Sequence, residues 1–150
     1  MSQETTTEAG AAPGRVAMRG AHLRLTPGET PALEGSRCSN CGDTFYPPRH
    51  ICLGCYHEGL DRVPLSSRGK LWTFTIARMT LPGSLVSAPY VIAQVELPEG
   101  VMVATVLTGV DPEAVRIGMA LELAVEKASV NAEGAEVMTF KFRPAEGGPA

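Results

Sequence analysis

A chain of 150 residues has room for one ordinary domain, or for a small barrel plus a metal-held module. It carries 13 basic and 16 acidic side chains, 13 − 16 = −3, a balance that argues against general binding to a nucleic-acid backbone. The most apolar stretch, 91–110, is broken by Gln94, Glu96, Pro98 and Glu99, so no membrane-spanning helix is expected.

The chain starts Met-Ser-Gln-Glu-Thr-Thr-Thr-Glu, without the basic start and apolar centre of a signal peptide. The expected location is therefore the cytoplasm. Residues 1–14 have a composition that supports no packing. Residues 15–31, with Val16, Met18, Leu23 and Leu25, fit either a short docking helix or an extended arm. Together 1–31 read as a disordered or short docking arm.

Residues 32–67 are organised by cysteine. All four cysteines fall between Cys38 and Cys55, as two C-x-x-C pairs separated by ten residues. A two-residue gap brings both thiolates of a pair onto one cation, and two pairs complete the tetrahedral four-sulfur shell of a structural zinc. Cys38, Cys41, Cys52 and Cys55 are the expected ligands of one Zn²⁺, bound as thiolates. Gly42 and Gly54 suit the tight knuckle turns, and Phe45-Tyr46-Pro47-Pro48 makes a stiff apolar connection between them. Four sulfurs leave no open position for water, so the zinc is expected to hold structure. A pair of disulfides or a thioredoxin-like redox site fits less well, for want of a secretory context and of any use for a second motif. His50 and His57 read as surface histidines beside a complete cysteine set. The stretch Leu60–Leu65 alternates like a short strand.

From Lys70 onward the dominant period is two, the signature of half-buried strands. Trp72, Phe74 and Ile76 share one face of a first strand, and Pro82-Gly83-Ser84 with Ala88-Pro89 punctuates a loop. Val91, Ala93, Val95 and Leu97 share a face of the second strand; Val101, Val103, Thr105 and Leu107 do so in the third. Asp111-Pro112-Glu113-Ala114-Val115-Arg116 predicts a helix of one or two turns, with Asp111 as N-cap, Pro112 at the first position and Gly118 as stop. Met119, Leu121, Leu123 and Val125 make a fourth strand, and Glu136–Phe142 a fifth before a flexible tail at 145–150. Trp72, Phe74, Phe140 and Phe142 are expected in the barrel core, which leaves no aromatic platform for base stacking.

Five strands with a short helix between the third and fourth is the element order of an OB barrel, though another small barrel fits the pattern as well. The expected fold is mainly β: a rubredoxin-like zinc ribbon at 32–67 followed by a five-stranded OB-fold barrel at 68–144. No nucleophile–base–acid set is visible. The serines lack a G-x-S-x-G context, and zinc leaves no cysteine free for acyl transfer.

Leu33-Glu34-Gly35-Ser36-Arg37-Cys38, Cys41-Gly42, Phe45-Tyr46-Pro47-Pro48-Arg49, Val63-Pro64-Leu65, Arg68-Gly69-Lys70-Leu71-Trp72-Thr73-Phe74-Thr75, Pro89-Tyr90-Val91 and Phe142-Arg143-Pro144 resemble the zinc-ribbon/OB-fold family long carried as a domain of unknown function. Members of that family are non-catalytic partners of acyl-CoA enzymes. The resemblance implies a subunit of a heteromeric thiolase-type acyltransferase, of the benzoylsuccinyl-CoA kind for example, that binds acyl-CoA beside a thiolase-fold catalytic subunit. Partnership with a retro-aldolase or hydratase, a stand-alone acyl-CoA binding module, and a nucleic-acid adaptor are the alternatives, the last disfavoured by charge. Under this reading Arg49, Arg68 and Lys70 would meet the phosphates of CoA, for which cationic side chains at the ribbon–barrel joint are suited. Residues 15–31 are too short for the two-helix arm that many relatives carry.

Overall fold

A computed structural model describes residues 14–20 and 22–145; the expectations for residues 1–13 and 146–150 lie outside the described residues. Its strands are β1 (Arg15–Ala17), β2 (Leu23–Arg24), β3 (Ala32–Cys38), β4 (Thr44–Phe45), β5 (Leu60–Pro64), β6 (Arg68–Ala77), β7 (Tyr90–Glu96), β8 (Met102–Val106), β9 (Ala120–Val130) and β10 (Glu136–Pro144).

The segment after Gly14 is an extended arm and not a helix. β1 pairs in parallel with β10, Val16 opposite Val137, and β2 pairs antiparallel with β3, Leu23 opposite Leu33. One short segment thus adds a strand to both units of the protein. In the ribbon, β3 is the central strand. It pairs antiparallel with β4 through Ser36 and Phe45, and with β5 through Cys38 and Leu60 down to Glu34 and Pro64. The Glu34 carboxylate ties three of these strands together, accepting from Arg24 Nε at 3.0 Å and meeting Arg62 Nη1 at 3.4 Å. Gly35 is small by necessity, because a Cβ there would lie 2.7 Å from the Phe45 carbonyl oxygen.

The barrel is a closed circuit. β6 pairs antiparallel with β7 along one side and with the start of β9 on the other; β7 continues to β8 and β9 to β10. A parallel bridge between Leu107 and Phe142 joins the end of β8 to β10, with Thr108 N donating to Phe142 O at 2.9 Å. The resulting order, β6-β7-β8-β10-β9 and back to β6, is the Greek-key closure of an OB barrel. Period-two alternation fills its interior as the sequence requires. Val91, Ala93, Val95 and Leu97 are buried from one side, Val101, Val103, Thr105 and Leu107 from the other, with Leu71, Leu121 and Phe142 between them.

Two sequence expectations need correction. Trp72 is not in the core; it is 58% exposed. Leu71 pairs with Val95 and Thr73 with Gln94, so Trp72 is the extra residue of a β-bulge. The bulge shifts the inward set by one residue: Leu71 is inside, Trp72 and Thr73 are outside, and Phe74 and Ile76 return to the core side. The helix of one or two turns is a single 3₁₀ turn, Pro112–Ala114. Asp111 does cap it, its carboxylate accepting from Glu113 N at 2.9 Å, and Gly118 adopts φ +88° where the chain turns into β9. The turn ends at once because Val115 reverts to extended backbone and is buried in the core.

The ribbon and barrel meet at Leu65–Gly69. Leu65 is buried against the common core, and Ser66 donates from both its backbone N and its hydroxyl to Glu99 Oε1, each at 2.7 Å. Gly69 lets β6 pass close to β7: a Cβ there would stand 2.5 Å from the Glu96 carbonyl oxygen. Glu122 then locks the sheet, pairing with Arg143 at 2.9 Å and Arg68 at 3.7 Å.

Candidate functional site

The two knuckles present their sulfurs to each other. The ligand atoms of Cys38, Cys41, Cys52 and Cys55 all lie within 4.8 Å of one another. Cys38 Sγ stands 3.6 Å from Cys55 Sγ, and Cys41 Sγ 3.5 Å from Cys52 Sγ. A tetrahedral site with Zn–S bonds of about 2.3 Å has sulfur–sulfur edges of roughly 3.8 Å, so the four residues fit a zinc ion.

The backbone around them is built for thiolates. Asn40 N and Cys41 N point at Cys38 Sγ, at 3.4 and 3.5 Å, and Gly54 N points at Cys52 Sγ at 3.3 Å. These amides stabilise negative charge on sulfur and orient it. The knuckles repeat each other: Gly42 N donates to Cys38 O at 3.0 Å, and Tyr56 N to Cys52 O at 2.9 Å. The left-handed position that follows each pair is Gly42 (φ +81°) in the first and Tyr56 (φ +62°) in the second. Gly54 therefore serves a different need from the one its type suggested. A Cβ there would lie 2.6 Å from Asp43 Oδ2, so Gly54 leaves room for that carboxylate.

Without a cation, four sulfurs this close cannot all shed their protons. The Cys55 thiol is lowered to about 6 by the Asn40 side chain and the backbone at His57, against some desolvation. Cys41 is shifted the opposite way. A backbone hydrogen bond with Asp43 pulls it down, but the Cys52 sulfur, desolvation, Cys38 and Cys55 together push it up to about 12. A divalent cation removes that conflict by balancing charge, and this is the chemistry zinc would supply here: it holds the ribbon, with no position left for substrate.

His50 and His57 are both exposed. His57 supports the cluster from outside, its Nε2 3.2 Å from Ser39 Oγ while its carbonyl accepts from Cys52 N. Of the three cationic residues singled out in the sequence, Arg68 is paired with Glu122, whereas Arg49 and Lys70 are exposed without ion-pair partners among the described residues. None of the three lines the cleft that the sequence did not reveal, an opening bounded by Arg19, Tyr46, Ile92 and Phe140, which come from four separate segments.

Comparison with known proteins agrees with this architecture. A family model described as ChsH2, rubredoxin-like zinc ribbon domain, matches residues 26–61, and one described as ChsH2, C-terminal OB-fold domain, matches residues 62–126. A DUF35 domain-containing scaffold protein of Methanothermobacter thermautotrophicus is 34% identical over 114 residues, covering 75% of this chain and 86% of that one. The chain belongs to the DUF35 family. Another relative is the benzoylsuccinyl-CoA thiolase subunit BbsA of Thauera aromatica, 34% identical over 116 residues, with 77% of this chain and 78% of that one covered. Among solved structures, the DUF35 chain of an Ltp2-ChsH2(DUF35) aldolase superposes with a TM-score of 0.64 at 30% identity, covering 75% of this chain and 84% of that one. The four clustered cysteines fall in the matched zinc-ribbon range, and β6 to β8 with the start of β9 fall in the matched OB-fold range.

Proposed function

We propose that this chain is a non-catalytic, zinc-binding subunit of a heteromeric thiolase-type acyl-CoA acyltransferase, one that assists acyl-CoA binding and complex assembly in a β-oxidation-like catabolic pathway. The observation that carries this reading is the likeness to the thiolase subunit BbsA, which extends over 77% of this chain. The chemistry of the chain supports it. With Cys38, Cys41, Cys52 and Cys55 committed to Zn²⁺, no thiol is left to act as nucleophile, so the reacting cysteine and histidine would come from the partner.

In this reading the metal-locked ribbon is a rigid platform in the cytoplasm, and Arg49 and Lys70, without ion-pair partners among the described residues, offer cations for CoA phosphates. Arg68 would have to leave Glu122 to join them. A second reading is favoured by the aldolase likeness: the same subunit docked on a retro-aldolase.

Reconstitution separates the two. The chain would be co-expressed with a thiolase-fold protein and, in parallel, with an aldolase of the same organism, and CoA-ester cleavage would be assayed with and without it. Cleavage that needs both the thiolase-fold protein and this chain supports the first reading. Activity gained with the aldolase alone selects the second.

A further inference from the structure

Where the N-terminal arm, the ribbon hairpin and the barrel come together, the chain leaves an open cleft of about 630 Å³. Small-ligand pockets run from roughly 300 to 1,000 Å³. The walls are largely apolar, with Leu23 from the arm, Ile92 from β7, Met102 from β8 and Phe140 from β10. His22, Tyr46 and Phe140 stand edge-to-face in succession, with ring centroids 5.6 and 6.5 Å apart, so one wall is an aromatic row drawn from all three units.

The lining also carries a cation, Arg19, and a phenol, Tyr46. Arg19 is exposed and has no carboxylate partner among the described residues. Its positive charge acts on both His22 and Tyr46. The Tyr46 ring is partly buried, and its hydroxyl makes no hydrogen bond among the described residues. Burial raises its pKa to about 12 against the opposing effect of Arg19, so it remains a donor. Burial, Arg19 and Arg62 hold His22 below its ordinary value, so at neutral pH it adds no second charge. Lys141 also reaches the cleft, but its ammonium is paired with Glu126 at 2.9 Å. Among the described residues lining the cleft, Arg19 is thus a cation without a carboxylate partner, and Tyr46 adds a hydroxyl donor. That set balances a single negative charge; a phosphate dianion would keep excess charge against apolar walls.

We propose that this cleft binds a hydrophobic organic acid, a ring-bearing or branched hydrocarbon body lying on Ile92, Met102 and Phe140 with its carboxylate at Arg19 and the Tyr46 hydroxyl. The site lies apart from Arg49, Arg68 and Lys70, and it belongs to this chain whichever enzyme is the partner. Its test therefore stands or falls separately from the reconstitution above.

The experiment titrates the full-length, zinc-loaded chain, with no partner enzyme, with 2-naphthoate and with its uncharged counterpart 2-acetylnaphthalene, read by ¹H–¹⁵N chemical shifts. The proposal expects saturable binding of naphthoate with shifts concentrated at Met18–Arg19, Tyr46, β8 and β10. Arg19→Gln weakens naphthoate roughly tenfold and leaves acetylnaphthalene unchanged, the loss expected for one charge-assisted contact. Ala104→Trp, at an exposed position lining the cleft, removes binding of both. Absence of saturable naphthoate binding, equal affinity for the two probes, or naphthoate binding indifferent to both substitutions each overturns the proposal, leaving the cleft to apolar side chains of a protein partner.

Discussion

Trp72 and Phe142 belong to the same barrel and have opposite fates. Both sit in alternating strands, and sequence pattern assigns both to the core. Phe142 is fully buried, while the bulge after Leu71 turns Trp72 outward. Phe142→Ala should cost about 3–5 kcal/mol in denaturant unfolding, as a large aromatic leaves a cavity. Trp72→Ala should cost less than about 1 kcal/mol, as an exposed site does. Similar losses for both would place Trp72 back in the core. A one-residue bulge leaves no mark in a period-two pattern when apolar residues occupy both of the positions it interchanges, here Leu71 and Trp72. That is why Trp72 departs from the face expected of β6 while Phe74 and Ile76 keep to it, and why the faces of β7 and β8, which carry no bulge against each other, are legible throughout.

His22 gives a residue-scale pH dependence. Its pKa lies below the ordinary 6.5 because burial, then Arg19 and Arg62, disfavour its charged form. Between the lowered folded value and 6.5 the unfolded chain binds more protons than the folded one, so stability rises with pH across that window. As the solution is acidified below 6.5, the His22 contribution is therefore destabilising. The difference in urea midpoint between the native chain and His22→Gln should shift in favour of the variant as pH falls from 7 to 5.5. A difference that stays flat with pH would exclude His22 as a source.

At the scale of elements, the ribbon is the unit that would draw most on a single interaction, the zinc its four cysteines fit. Its strands are short, its knuckle residues Cys41, Ile51, Leu53 and Tyr56 are exposed, and a module of about thirty residues lacks the core to fold alone. Structural zinc contributes on the order of 10 kcal/mol to such a module. Elemental analysis should find one zinc per chain, and Cys52→Ser or a strong chelator should unravel residues 32–67 while the β6–β10 barrel keeps its dispersed amide resonances. Less than half an equivalent of zinc, with thiols unoxidised, would contradict the site. The doubled C-x-x-C was legible because coordination demands fixed residue types at fixed spacing. The 3₁₀ turn at Pro112–Ala114 was legible in place and cap but not in type, since Val115 is claimed by the core before a second turn can form.

At the scale of the whole molecule, closure of the barrel could be inferred from element order, whereas the cleft could not. Arg19, Tyr46, Ile92 and Phe140 carry no shared motif; the arm's pairing with β10 and β3, the β3–β4 pairing and the closure of the barrel gather them. The same arm, read as helix or extended from its composition, is decided by edges that β3 and β10 leave open for it. What the molecule presents outward are apolar residues on the loop between β6 and β7, Met79, Leu81 and Leu85, each at least 60% exposed. Exposed apolar side chains gathered on one loop are of the kind that mark interaction surfaces. The most direct measurement is native mass spectrometry of this chain co-purified with a co-expressed thiolase-fold protein. The account predicts a stable heteromeric assembly that retains one zinc for each copy of this chain; a thiolase-fold protein that is soluble, fully active and free of this chain would contradict it.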